Sequence, residues 1–131
     1  MRFEAPSSAA RADLWRLISH PARWHEWAPH VRGANGLGWP EVLPGATGTV
    51  SLLGLIGVPA RITVVEPGHS WSWRVGPFEL DHIAETAERG SLSVIELRGR
   101  GLLGAALAAA YAPAVWVLNR NLARVADAQA G

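Results

Sequence analysis

The sequence predicts an α+β domain in which a curved antiparallel sheet of six to seven strands wraps one long C-terminal helix. Two short helices should follow the first strand. Three observations predict this. Between Thr49 and Arg98, short segments rich in β-branched and aromatic residues alternate with Gly- and Pro-containing turn signals. Beyond Leu102 the apolar residues Leu107, Tyr111, Ala114, Leu118, Leu122 and Val125 recur at spacings of three and four, as one face of a helix requires. A chain of 131 residues with no internal repeat or linker fits a single domain, 1–131.

Each element has its own signal. Arg2–Ala5 reads as a first strand, broken by Pro6. Ser7 or Ser8 is placed to cap a helix running to about Ser19, with Leu14, Trp15, Leu17 and Ile18 as its apolar stripe. His20-Pro21 ends that helix, because a residue before proline disfavours the α region. A second short helix is expected over Pro21–Trp27, with proline in its first turn. Gly33–Gly48 carries the turn pairs Asn35-Gly36 and Pro44-Gly45 and reads as strand fragments around a hairpin. Strands are expected at Thr49–Leu53, Ala60–Glu66, Trp71–Val75, Phe78–Glu85 and Ser91–Arg98. Gly54–Pro59, tipped by Leu55-Ile56, Pro67-Gly68, Gly76-Pro77 and Thr86–Gly90 are the turns. Pro113 should kink the last helix or mark its true start.

Strands in sequence joined by short turns pair most simply as hairpins. Their sheet must bury one face, and only the long helix can cover it. A sheet that curls round one helix leaves a cavity between them.

Composition narrows the function. The chain has no cysteine, so thiolate chemistry, disulfides and cysteine zinc sites are excluded. Its 12 cations, all arginine, nearly balance 11 acids, with no basic run, so nothing points to nucleic acid. Arginine in place of lysine, with abundant alanine and glycine, is the expectation of a GC-rich bacterial genome. Met1–Asp13 carries Arg2, Glu4, Arg11 and Asp13 and lacks the apolar core of a signal peptide, so a cytoplasmic setting is expected. The uncharged stretch Leu102–Leu118 reads as a buried helix rather than a membrane span, and membrane contact is not expected. Seven tryptophans suggest that the chain grips something flat, although packing alone accounts for some of them.

Several segments carry a family resemblance. They are Phe3-Glu4-Ala5-Pro6, Asp13-Leu14-Trp15-Arg16-Leu17-Ile18 and Pro21-Ala22-Arg23-Trp24-His25-Glu26-Trp27-Ala28-Pro29. Pro44–Gly48, Ile62–Gly68 and Gly90–Val94 agree. In these the chain resembles the START-like, or SRPBCC, helix-grip superfamily, which includes polyketide cyclases and aromatases, birch pollen allergen relatives and lipid-transfer domains. The resemblance implies that a small hydrophobic or aromatic molecule is held between sheet and helix, without a cofactor. It leaves open a cyclase- or dehydratase-like enzyme, a carrier or sensor, and a membrane- or partner-binding module using the apolar segment Leu52–Val58. The motifs belong to the scaffold, so they carry fold and not function.

Candidate site residues follow from strand alternation. Phe78, Leu80, His82 and Ala84 share one face, which makes His82 a candidate general acid/base or, equally, a core histidine. Glu96 would orient His82 if its face, with Leu92, Val94 and Arg98, is inward; Ser93, Ile95 and Leu97 form the rival face. Trp27, Trp71 and Trp73 are candidates for gripping a planar ligand. Arg61 shares a face with Thr63 and Val65 and would reach a ligand carbonyl or carboxylate, or solvent. Tyr111, on the helix stripe, needs a partner for its hydroxyl if buried. His20, His25 and His30 do not share a helix face, so no metal site is expected.

Overall fold

A computed structural model describes residues 1–52 and 56–130 of the chain. The elements run β1 (Arg2–Ser7), α1 (Arg11–Ser19), a 3-10 helix (Pro21–Glu26), β2 (Val31–Asn35), β3 (Thr47–Leu52), β4 (Ile56–Glu66), β5 (Ser70–Val75), β6 (Phe78–Ala87), β7 (Gly90–Gly99) and α2 (Gly101–Ala130). The seven strands form one antiparallel sheet in the order β1-β7-β6-β5-β4-β3-β2. Only β1 joins its neighbour without a hairpin, pairing with β7 across the whole chain.

Register shifts between Ile62 and Val64 and between Val31 and Gly33 interrupt the ladders, and such bulges bend and twist a sheet. The sheet curls towards α2, whose start is pressed against the end of β7. A Cβ on Gly99 would stand 1.8 Å from the Gly104 carbonyl oxygen, so the helix can turn back this tightly only over glycine.

Several boundaries differ from the sequence expectation. β1 runs through Pro6 to Ser7, because an edge strand tolerates proline where no ladder bond is needed. Ser7 and Ser8 do not cap α1; Ala10 stands at its N-cap without a side-chain bond. Both hydroxyls instead donate to Asp127 Oδ1, at 2.8 and 3.0 Å, tying β1 to the last turns of α2. β4 includes Pro59, which lies beyond the end of β5, whose pairing begins at Ala60 with Val75. The β6–β7 turn is shorter than expected, since Ala87 already pairs with Gly90. Of the expected apolar turn Gly54–Pro59, Gly54 and Leu55 lie outside the described residues, as does Leu53, and Ile56–Pro59 belong to β4 instead.

The expected stripe of α2 holds at Tyr111, Leu118, Leu122 and Val125, which face the cavity or the core, and fails at Leu107 and Ala114, which are exposed. The helix starts at Gly101 and runs through Pro113, which is exposed. Its inward face carries Gly104, Ala108, Val115, Asn119, Leu122 and Ala126, whereas Leu107 is 41% exposed. Asn119 is the inward residue that an apolar stripe could not include. It is a polar residue in the middle of the true stripe, fully satisfied there. Its amide donates to the Ser93 and Phe3 carbonyls at 3.0 and 3.3 Å and its oxygen accepts from Ser93 Oγ at 2.6 Å. Nor is α2 buried all round: Leu102, Leu103, Trp116 and Val117 face outward.

Two apolar clusters make the interior. One joins α1, the 3-10 helix, β2–β6 and the C-terminal half of α2, around Leu14, Ile18, Trp24, Trp71 and Leu122. The other holds Leu80, Ile95, Leu97, Ala108 and Val115. Trp73 and Val75 pack against both.

Candidate ligand site

The α1 helix ends at Ser19, leaving its last carbonyls without intrahelical partners. Tryptophans satisfy them. The Trp27 indole donates to the Leu17 carbonyl at 3.1 Å, and the Trp24 and Trp71 indoles both donate to the Ile18 carbonyl at 2.9 Å. The Val42 amide donates to the Ser19 carbonyl. Trp15 donates to Glu41. These four buried tryptophans therefore have structural work for their polar edges.

Trp73 does not. Its Nε1 has no partner among the described residues, nor does either ring nitrogen of His82. Both side chains line a cavity of about 320 Å3 between the sheet and α2. Trp27, Val31 and Val50 wall it on one side, Phe78, Leu80 and Ile95 on another, and Tyr111, Val115 and Leu118 of α2 close it. Tyr111 stacks on Phe78 with ring centroids 5.2 Å apart at 12°. No Asp, Glu, Lys or Arg stands among the described lining residues; His30, His82 and Tyr111 are the ionisable ones.

Electrostatics follow from this apolar lining. Burial pushes the His82 pKa down to about 4, opposed by the Asp81 carboxylate, so the ring is neutral at pH 7. Burial also lowers His30 and raises Tyr111, so the phenol keeps its proton.

The structure brings His82, Trp27, Trp73 and Tyr111 together on the cavity wall. It separates three other expected residues from it. Trp71 is buried behind the wall, stacked on both Trp24 and His82 at centroid distances of 5.3 and 4.5 Å. Glu96 faces away: β7 turns Ser93, Ile95 and Leu97 inward, and the Glu96 carboxylate pairs with Arg2 at 3.1 Å and Arg98 at 3.9 Å on the outer surface. It cannot orient His82, whose cross-strand neighbour is Ile95. Arg61 points to solvent, the second of its two readings, by alternation with the inward Ala60 and Ile62; the bulge after Ile62 is what takes Val65 off its face. Ala60 and Ile62 face in on one side of the bulge and Val65 on the other.

Sequence reasoning missed His30, Val31, Val50, Val58 and Val115 as lining residues. His30 was weighed only as a metal ligand. Val50 was findable, since it is the apolar residue of the alternating run Thr49-Val50-Ser51. Val115 was hidden because the expected stripe took its neighbour Ala114, which is exposed. Among the described residues, no three His, Asp or Glu side chains come together to hold a metal ion.

An antiparallel sheet closed over an apolar cavity by one long helix defines the helix-grip class. The chain belongs to the polyketide cyclase / dehydrase and lipid transport family, whose model matches residues 2–128. Its fold is similar to that of protein MLL2253 from Mesorhizobium loti, with a TM-score of 0.80 and 14% identity over 98% of this chain and 96% of that one. It is similar to BH1534 from Bacillus halodurans, with a TM-score of 0.72 and 15% identity over 95% and 94% of the two chains. DynU16, from the dynemicin biosynthetic locus, aligns at a TM-score of 0.76 and 16% identity, over 95% of this chain and 45% of its own. At such identities the likeness is one of fold. A search of the curated proteins found no match.

Proposed function

We propose that this protein is a non-catalytic carrier or sensor for a small apolar molecule held between the sheet and α2. The observation that carries the reading is the cavity wall. It is apolar almost throughout, and among the described residues no two ionisable side chains meet there in a hydrogen bond. An efficient general acid or base has a pKa near the working pH. His82, at about 4, has no proton to give at pH 7 and is a weak base. Glu96, the carboxylate that would have oriented it had its strand face been inward, lies on the other surface. A cyclase-like activity would have to rest on orientation of a folded chain alone.

The test fills the cavity. Native mass spectrometry of the wild-type protein should detect a retained small molecule, and apolar ring compounds should raise the melting temperature. Val115→Phe should abolish both effects while the protein stays folded. Undiminished binding in that variant overturns the reading. Chemical turnover of a bound compound replaces the carrier with an enzyme.

A second reading rests on the outward face of α2. By length and composition this helix could cross a membrane, yet only 17% of its most apolar 18-residue window is buried. Leu102, Leu103, Leu107, Trp116 and Val117 lie on its open surface. Arg100 precedes them, Arg120 stacks over Trp116 at 4.8 Å, Arg124 follows, and no acid occurs in the helix before Asp127. An apolar face flanked by arginine and tryptophan suits an anionic membrane surface, from which an apolar ligand could be collected. Flotation with phosphatidylserine vesicles, lost on Leu102→Glu with Leu103→Glu, tests it; no flotation of the wild type refutes it.

A further inference from the structure

A groove of about 440 Å3 runs along the outer side of α2, with Trp116, Val117, Leu118, Arg120, Asn121 and Arg124 among its walls. Leu118 lines the cavity as well, so groove and cavity share a wall. Arg120 and Arg124 stand four residues apart, neighbours on one helix face. Both are exposed, and neither pairs with an acid among the described residues. The helix has no acid before Asp127, whose carboxylate is taken by Ser7 and Ser8. On the outer face of the sheet the pattern is the reverse, since Arg2, Arg74 and Arg98 each meet a carboxylate.

Both guanidinium groups are held by other residues of the groove. The Arg120 guanidinium carbon lies over the Trp116 ring, 4.8 Å from its centroid. A guanidinium on an aromatic face still offers its N–H donors. Arg124 donates to Asn121 Oδ1 at 3.5 Å, a long bond that uses one of its five donors. Asn121 is itself fixed, because its amide donates to the Trp27 carbonyl at 2.8 Å.

We propose that Arg120 and Arg124 bind the oxyanion, phosphate or carboxylate, of an acidic lipid headgroup at a membrane surface. This deepens the membrane reading above and rests on it. Guanidinium meets either oxyanion with parallel N–H bonds. The apolar neighbours select a lipid over a free anion. Trp116 is 47% and Val117 56% exposed, on the outward side of α2 that also carries Leu102 and Leu103. A water-soluble anion would leave these side chains in water, whereas a lipid covers them and meets the charge together.

Flotation of the whole protein with vesicles tests this, using phosphatidylcholine alone and phosphatidylcholine mixed with phosphatidylglycerol. The wild type should float with the mixed vesicles and not with phosphatidylcholine alone. An arginine at an anionic surface contributes about 5-fold in partitioning, so Arg120→Gln with Arg124→Gln should weaken it by at least ~10-fold. Arg61→Gln with Arg74→Gln removes the same charge from the face of the sheet opposite α2, where both are exposed. That variant should differ from the wild type by less than about twofold, because surface potential decays over a Debye length. Inorganic phosphate added at constant ionic strength should leave flotation intact. Equal losses in the two double variants would reduce the attraction to net charge and overturn the site. Undiminished flotation of the Arg120, Arg124 variant would overturn the site too, yet leave the membrane reading standing on Leu102 and Leu103. Equal flotation of the wild type with both kinds of vesicle would overturn the selection of acidic lipid. Release by inorganic phosphate would make the ligand a free anion and overturn the lipid. A wild type that floats with neither overturns both the inference and the membrane reading.

Discussion

The His82 imidazole lies nearly parallel to the Trp71 indole, with ring centroids 4.5 Å apart at 19°. The contact joins the structural tryptophan stack to the cavity wall. One ring is anchored by its N–H to the end of α1; the other has no partner for either nitrogen among the described residues.

Stability should therefore fall in mild acid. The His82 pKa is about 4 in the folded protein and near 6.5 when unfolded, so between these values the unfolded chain binds the proton and the native one does not. The contribution is fully present above pH 6.5 and is lost as pH falls towards 4. Its size between pH 7 and 4.5 is about 2–3 kcal/mol, from 1.36 kcal/mol per pKa unit. Urea melts at the two pH values should show it, and His82→Phe should lose that share of the slope. An unchanged slope in the variant would place the titration elsewhere.

Asn119 is expected to be among the costlier polar residues to remove. Asn119→Ala leaves the Ser93 hydroxyl without its acceptor and strips a donor from the Ser93 and Phe3 carbonyls, all near the β1–β7 edge. The expected loss is roughly 2–4 kcal/mol, since stranded buried groups cost more than the net value of a bond. Adding Ser93→Ala should recover part of it, because the second stranded group is then gone. A double-mutant cycle by chemical denaturation checks both values.

The helix face gives a contrast within one element. Leu122→Ala should destabilise by about 2–5 kcal/mol, because Leu122 is fully buried against α1 and the sheet. Leu107→Ala should cost under about 0.5 kcal/mol, as surface changes usually do. Reversal of that order would mean that the inward face of α2 is misplaced.

The tryptophans should divide by what their N–H groups do. Trp27→Phe keeps a ring but strands the Leu17 carbonyl, for a loss of about 1–3 kcal/mol. Trp73→Phe removes an indole with no partner and should change stability by less than that. Equilibrium unfolding of the two variants, compared at pH 7, separates the anchoring indoles from the unpartnered one.

Much of this was legible in the sequence. The strand, helix, sheet, long-helix order follows from turn residues and periodicity, which are local. β6 is a regular strand, so simple alternation put His82 on the same face as Leu80 and Ala84, where the structure has it. Trp27, Trp73 and Tyr111 could be singled out because large aromatic residues have few roles. Where local regularity breaks, the reading breaks with it. One bulge in β4 turned Arg61 away from Val65. In α2 the spacing rule placed Tyr111, Leu118 and Leu122 correctly but took exposed Ala114 for buried Val115 and could not include the buried amide of Asn119.

The sequence by itself determined the class of fold, the set of apolar and aromatic residues available to line a cavity, and the absence of thiol chemistry. Only the tertiary structure decided which of the inward-facing tryptophans find a partner for the indole N–H among the described residues. The reason is that an indole N–H is spoken for by whichever orphan carbonyl the fold brings to it. Trp71 meets the Ile18 carbonyl across a separation of 53 residues, and no local pattern encodes that meeting. The same holds for Glu96. Its strand has two faces of competing polarity, and the choice between them was made by the packing of Ser93, Ile95 and Leu97 towards α2, which left the carboxylate outside with Arg2.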